Sequence, residues 1–252
     1  MRHELAVLSA IALTFAAGAA FAHEIVLVPG VTDGTLKVTI ESTHSFVAAE
    51  ELEDAATLEA MLVTPTGAVS LPITQVGELS LGAEGKAPEG AAYFVVHRQG
   101  LVYSNTPDGF KPGTRAENPA AIFTNRYEKY SKALINGSDP AFAMAPLGNL
   151  LELVPQSNPA DLKAGDELKV QVLYKGQPIA AEVQATFAGF SDTPMTFAYA
   201  TETGDEYGEP GIATIKVWKT GYWYVRVAHD AEDPAADVDT HVLRAILSFD
   251  VK

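Results

Sequence analysis

Apolar and polar residues alternate with a period of two along much of this chain, and that period admits few folds. Leu36-Lys37-Val38-Thr39-Ile40, Glu167-Leu168-Lys169-Val170-Gln171-Val172-Leu173 and Ala213-Thr214-Ile215-Lys216-Val217-Trp218 each put one class of side chain on each face of an extended strand. One buried and one wet face is the habit of antiparallel sheets. Turn signals separate the runs, at Pro29-Gly30, Asp33-Gly34, Thr66-Gly67, Lys175-Gly176 and Thr220-Gly221. Many short strands so spaced predict an all-β chain, built as immunoglobulin-like or prealbumin-like sandwiches rather than βαβ units. Ala48 to Ala60, acidic and alanine-rich, is the one stretch expected to be helical.

Four parts are expected. Residues 1–22 carry Arg2, an apolar run from Leu5 to Ala19 and the small-x-small triplet Ala20-Phe21-Ala22, the order of a cleavable secretory signal peptide. Residues 23–102 form an N-terminal β domain. Residues 103–148 hold Pro107, Pro112, Pro119, Pro140 and Pro146 and read as an irregular connection, with a short helix or strand around Ala121–Tyr130. Residues 149–252 form a C-terminal β-sandwich, with strands at Leu151–Pro155, Glu167–Leu173, Val183–Phe187, Tyr222–Ala228 and Leu243–Val251.

Composition then excludes several functions. There is no cysteine, so thiolate metal sites and cysteine nucleophiles are out, and an exported chain of this kind is stabilised by burial rather than by disulfides. After the leader no apolar run approaches the roughly 20 residues of a membrane span. The formal charge of −15 repels nucleic acid and anionic membranes and attracts cations. There is no Gly-x-Ser-x-Gly elbow and no phosphate loop, and the chain is read as a binding protein rather than an enzyme.

Cleavage after Ala22 would make His23 the first residue, with a free α-amine beside its ring. Such a residue offers a metal two nitrogens in one chelate, and imidazole suits nickel, copper and zinc. Of the six histidines, five lie beyond the leader: His23, His44, His97, His229 and His241, each at or near a strand end. Strand ends converge at the poles of a sandwich, where binding residues gather. His23, His44 and His97 are therefore the expected ligands, with His229 and His241 as weaker candidates. None has the short spacing of a His-Glu-x-x-His helix. The acidic run Glu50-Glu51-Leu52-Glu53-Asp54 follows His44 closely enough to draw cations toward that pole, but is read first as the exposed face of the short helix. His229-Asp230-Ala231-Glu232-Asp233 lacks the order of a calcium loop and is read as solvated. Few methionines follow the leader (Met61, Met144 and Met195), which argues against a thioether site for reduced copper.

Residues Ala22-His23-Glu24-Ile25-Val26-Leu27-Val28-Pro29 resemble the opening of a family of exported bacterial proteins associated with periplasmic nickel or cobalt uptake. The similarity continues through Tyr130–Leu134, Leu151–Pro155 with Asn158-Pro159, Gly165-Asp166, Lys175-Gly176-Gln177-Pro178-Ile179 and Gly221-Tyr222-Trp223 to His229. Ser104–Gly109 resembles the uptake-associated branch, whereas His97-Arg98 departs from the family's plain strand after Gly90. The resemblance implies a two-domain periplasmic β protein that binds a divalent transition metal ion, nickel or cobalt, and hands it to a membrane uptake transporter. Three alternatives remain: a copper carrier, a copper-dependent oxidative enzyme with the histidine brace of the polysaccharide monooxygenases, and a metal-free sandwich that binds carbohydrate or protein.

Overall fold

Strand β7 (Ala92–Thr106) opens with the run Ala92-Tyr93-Phe94-Val95-Val96, buried on both faces, and this requires a layer on each side of its sheet. The computed structural model describes residues 23–252 except 45, 47, 206 and 209, so the leader expected at residues 1–22 lies outside the described residues. Within them the chain is an all-β sandwich, as the alternation implies. No described helix is long and apolar enough to cross a membrane.

The first layer is a four-stranded sheet in the order β1-β2-β6-β5, from β1 (Glu24–Thr32), β2 (Thr35–Thr43), β5 (Ile73–Gln75) and β6 (Ser80–Lys86). The central layer collects β3 (Leu58–Thr64), β4 (Gly67–Leu71), β7, β8 (Gly109–Pro112), β9 (Phe123–Asn136), β13 (Glu182–Phe187), β14 (Tyr199–Glu202), β16 (Gly221–Ala231) and β17 (Thr240–Val251). Its order is β14-β13-β16-β17-β9-β7-β3-β4, with β8 paired to β7. The third layer holds β10 (Leu151–Pro155), β11 (Glu167–Tyr174), β12 (Gln177–Pro178) and β15 (Ala213–Lys216).

Two large apolar cores result, one on each face of the central sheet, with a smaller cluster of Val26, Phe46, Tyr224 and Ile246 besides. Phe94 and Val96 of β7 pack with Ile25, Leu27, Val38 and Ile40 of the first layer. Tyr93 and Val95, one residue out of phase, pack with Leu153, Val170, Val172 and Ile215 of the third, around the fully buried Trp223. Two hairpins follow their turn residues. Asp33 and Gly34 (φ 50 and 74) and Lys175 and Gly176 (φ 51 and 73) both take the left-handed conformation that a two-residue type I′ turn demands.

Three expectations need correction. The boundaries near 102/103 and 148/149 do not separate the sheets, because the central sheet draws strands from both halves. The supposed irregular connection 103–148 contains β8, β9 and the short helix α1 (Pro140–Ala143). Strand β9 sits mid-sheet, antiparallel to β7 and parallel to β17, a pairing across more than a hundred residues that local sequence does not encode. Finally, Ala48–Ala60 is no α-helix: a 3₁₀ turn at Ala55–Thr57 leads straight into β3. The acidic side chains there engage His44, His23, Lys129 and the Ala56 amide instead of forming one solvated face.

Candidate metal centre

The hairpin of β1 and β2 builds this site. Its register pairs Thr32 with Thr35 at the turn and Glu24 with Thr43 at the open end. His23 and His44 are one rung further out, facing each other, with ring centroids 3.9 Å apart. The chain then turns back, and the Glu50 N–H donates to the Ser42 carbonyl at 2.9 Å. That return brings the Glu50 carboxylate onto both histidines. Its Oε2 lies 2.8 Å from His44 Nδ1 and 3.6 Å from His23 Nε2. Its Oε1 accepts from the His44 amide at 2.9 Å and from the Thr43 hydroxyl at 3.2 Å. Burial alone would raise the Glu50 carboxyl, but the His44 ring and amide and the Thr43 hydroxyl outweigh it and hold the pKa at about 2. Glu50 is thus an anion throughout the physiological range.

His23 is buried, 6% exposed. Glu51 Oε2 comes within 2.9 Å of its Nδ1 but off the line of a hydrogen bond, so this buried ring nitrogen has no hydrogen-bond partner among the described residues. A buried polar atom left in that state asks for a reason, and a lone pair kept free for a cation is one. His23, His44 and Glu50 each offer a ligand atom, all within 4.8 Å of one another. Two atoms bound to one ion sit at most about 4.2 Å apart, twice a usual metal–nitrogen bond, so a small inward shift suffices. No other described group of three such side chains meets this distance.

Buried ion pairs fix the frame. Glu24, beside His23, takes Arg226 Nη2 at 2.8 Å and Arg244 Nη1 at 3.1 Å from β16 and β17. Glu53 takes the Ser42 hydroxyl at 3.1 Å, with Lys129 Nζ at 3.4 Å and Arg98 Nε at 3.7 Å. The two glutamates tie the strand end and the acidic loop to the central sheet.

The other expected ligands lie elsewhere, and strand parity is the reason. His97 shares its face of β7 with Val95, against the third layer, whereas the first layer carrying His23 covers the opposite face. Arg98, one residue on, points the other way, to Glu53 at 3.7 Å and the Tyr127 carbonyl at 2.7 Å. His97 Nε2 meets Glu128 Oε1 at 2.7 Å, and its ring stacks on Tyr130 at 4.7 Å. His241 Nε2 meets Glu128 Oε2 at 2.8 Å. One carboxylate on β9 thus bridges histidines on the two flanking strands. His229 packs its ring on Tyr174 at 4.7 Å, and burial pushes its pKa down. The loop after it is not wholly solvated, because Asp233 is buried and accepts from Arg126 Nε at 2.6 Å.

Glu128 carries a pH signature of its own. Burial would raise its carboxyl, but His97, Tyr130 and His241 together hold it at about 2, below the ordinary 4.5. A carboxyl depressed by folding contributes stability that is complete above the ordinary value and is lost as pH falls through the depressed one. The gap in melting temperature between native protein and Glu128→Gln should therefore be largest near neutral pH and close between about pH 4.5 and 2. A gap independent of pH would mean the bridge is not ionic.

Sequence reasoning did not single out Glu50 as the carboxylate that meets both histidines. The available signal was an acid six residues after His44, and it was hidden by the expectation of a helix.

Residues 20–231 match the family described as a domain of unknown function, DUF4198. No curated protein matches the chain in sequence. Among solved structures, native alpha-2-macroglobulin from Escherichia coli is 10% identical, with 90% of this chain and 72% of that chain covered and a TM-score of 0.24. A DUF4785 family protein from Legionella pneumophila is 16% identical, with 77% and 46% covered and a TM-score of 0.23.

Proposed function

We propose that this chain, which belongs to the DUF4198 family, binds a divalent transition metal ion through His23, His44 and Glu50. The observation that carries the reading is a histidine pair facing across a hairpin, with an ionised carboxylate on both rings and a buried ring nitrogen left without a hydrogen bond. Two imidazoles and a carboxylate suit late first-row metals, and the ligand set alone ranks copper(II) above nickel(II) and cobalt(II). The resemblance of the opening residues favours nickel or cobalt, carried in the periplasm to a membrane transporter. The role is binding and delivery, with no catalytic residue assigned. Glu51 brings a second carboxylate to His23, so the site carries enough negative charge to neutralise a dication.

The test is calorimetric titration of nickel and cobalt into protein beginning at His23, beside a copy with one extra residue in front. If the α-amine joins the ring in a chelate, the extension should weaken binding by at least about tenfold, the scale of losing a supporting metal contact. Equal affinities would remove the amine and leave the side chains alone. No binding by either would remove the metal reading.

A further inference from the structure

A groove of about 790 Å³ lies between the central and third layers, across the central sheet from the metal centre. Small-molecule sites typically enclose roughly 300–1,000 Å³ and are mostly apolar, with a few polar groups that fix orientation. This groove has that make-up. Met61 and Val95 wall it from the central sheet, Leu150 and Leu173 from the side of the third layer. Glu59, His97, Glu152 and Lys175 also border it. Glu152 is already occupied by Lys132 and three backbone amides. The other three remain to receive a ligand.

His97 is held in one orientation. Its ring stacks on Tyr130, 8° from parallel, and its Nε2 meets Glu128 Oε1 at 2.7 Å. Glu128 is ionised at neutral pH and can only accept, so Nε2 carries the proton and the neutral ring keeps Nδ1 as an acceptor. That Nδ1 stands 3.9 Å from Glu59 Oε2, too far for a hydrogen bond. Glu59 Oε1 is taken by the Gln99 side-chain amide at 3.3 Å. Two acceptors thus face each other across a gap at the border of the groove. A primary ammonium about 2.8 Å from each bridges such a gap and has a third N–H left for water. A metal ion would find only two ligand atoms there. From the other layer, Lys175 brings a positive charge with no carboxylate partner among the described residues, its Nζ resting over the Tyr174 ring at 5.0 Å.

We propose that this groove binds a linear ω-amino acid, with its ammonium between Glu59 and His97, its methylenes against the apolar walls and its carboxylate toward Lys175. Charge complementarity selects that occupant: a fatty acid would set its carboxylate against Glu59 or leave that end unpaired, and a diamine would meet Lys175. The site does not depend on His23 and His44, which lie on the far side of the central sheet.

The test titrates isotope-labelled protein beginning at His23 with aminocaproate, caproate and hexylamine, followed by NMR. Aminocaproate should shift the resonances of His97, Tyr130 and Lys175. It should bind about tenfold more tightly than caproate or hexylamine, each of which lacks one charged contact. Glu59→Gln, a change at an exposed side chain that leaves the fold intact by melting temperature, should weaken aminocaproate about tenfold. Lys175→Met should weaken aminocaproate and leave hexylamine unchanged. Shifts confined to other residues, no shift with any of the three compounds, or equal aminocaproate affinity in native protein and Glu59→Gln would overturn the inference. Nickel titration of the same samples keeps its failure distinct from a failure of the metal centre.

Discussion

Replacing His44 by alanine should cost the protein at least about 100-fold in nickel affinity, because even the residues that merely orient a ligand are typically worth about 10–100-fold. The change removes one of the two facing imidazoles and with it the ring contact to Glu50 Oε2, while the backbone amide of residue 44 still holds Oε1. Glu50→Gln keeps the shape of that side chain but not its charge, so it should weaken binding by less than the loss of His44. His97→Ala should leave nickel affinity within about twofold, since His97 lies on the far side of the central sheet and is engaged with Glu128. A large loss from His97→Ala, with little from His44→Ala, would move the site. Circular dichroism and melting temperature on each variant separate lost binding from lost fold.

Glu152→Ala should destabilise the fold by about 3–5 kcal/mol, the usual consequence of leaving a buried charge without its partner. Lys132 Nζ lies 2.6 Å from Glu152 Oε1, and each residue is 2% exposed. Burial pushes the Lys132 ammonium down, and the Glu152 carboxylate pulls the other way. The same carboxylate accepts from the amides of Leu147, Gly148 and Asn149 at 2.8, 3.0 and 3.3 Å, so it also closes the loop that leads into β10. That asymmetry gives a sharper test. Lys132→Met leaves Glu152 with three amide donors and should cost less than Glu152→Ala, which strands both the ammonium and the amides. Urea denaturation of the two variants measures the difference. Equal costs would mean the amides contribute nothing.

Much of the strand inventory was legible in the sequence because period-two alternation survives wherever one face is wet, as in β2 and β11. The facing of His23 and His44 was also legible. A two-residue turn at Asp33-Gly34 fixes the hairpin register, and the two histidines stand equally far from it on either side. Alternation fails where both faces are buried. In β7 the run of apolar residues hides which layer each face meets, so nothing local says which of His97 and Arg98 turns to the first layer and which to the third. Long-range pairing is the second blind spot: β9 beside β17 joins the expected connection 103–148 to the C-terminal part of the chain. The acidic loop is the third. Glu50, Glu51 and Glu53 have the composition of a solvated helix face, and only the fold shows that they turn inward to His44, His23 and the buried Lys129.

The most direct measurement is a crystal structure of the nickel-loaded protein, with anomalous scattering recorded at the nickel edge. The account predicts one strong anomalous peak between His23, His44 and Glu50, with the rings of both histidines directed at it. A peak at Glu128 between His97 and His241, or none at any histidine, would contradict it.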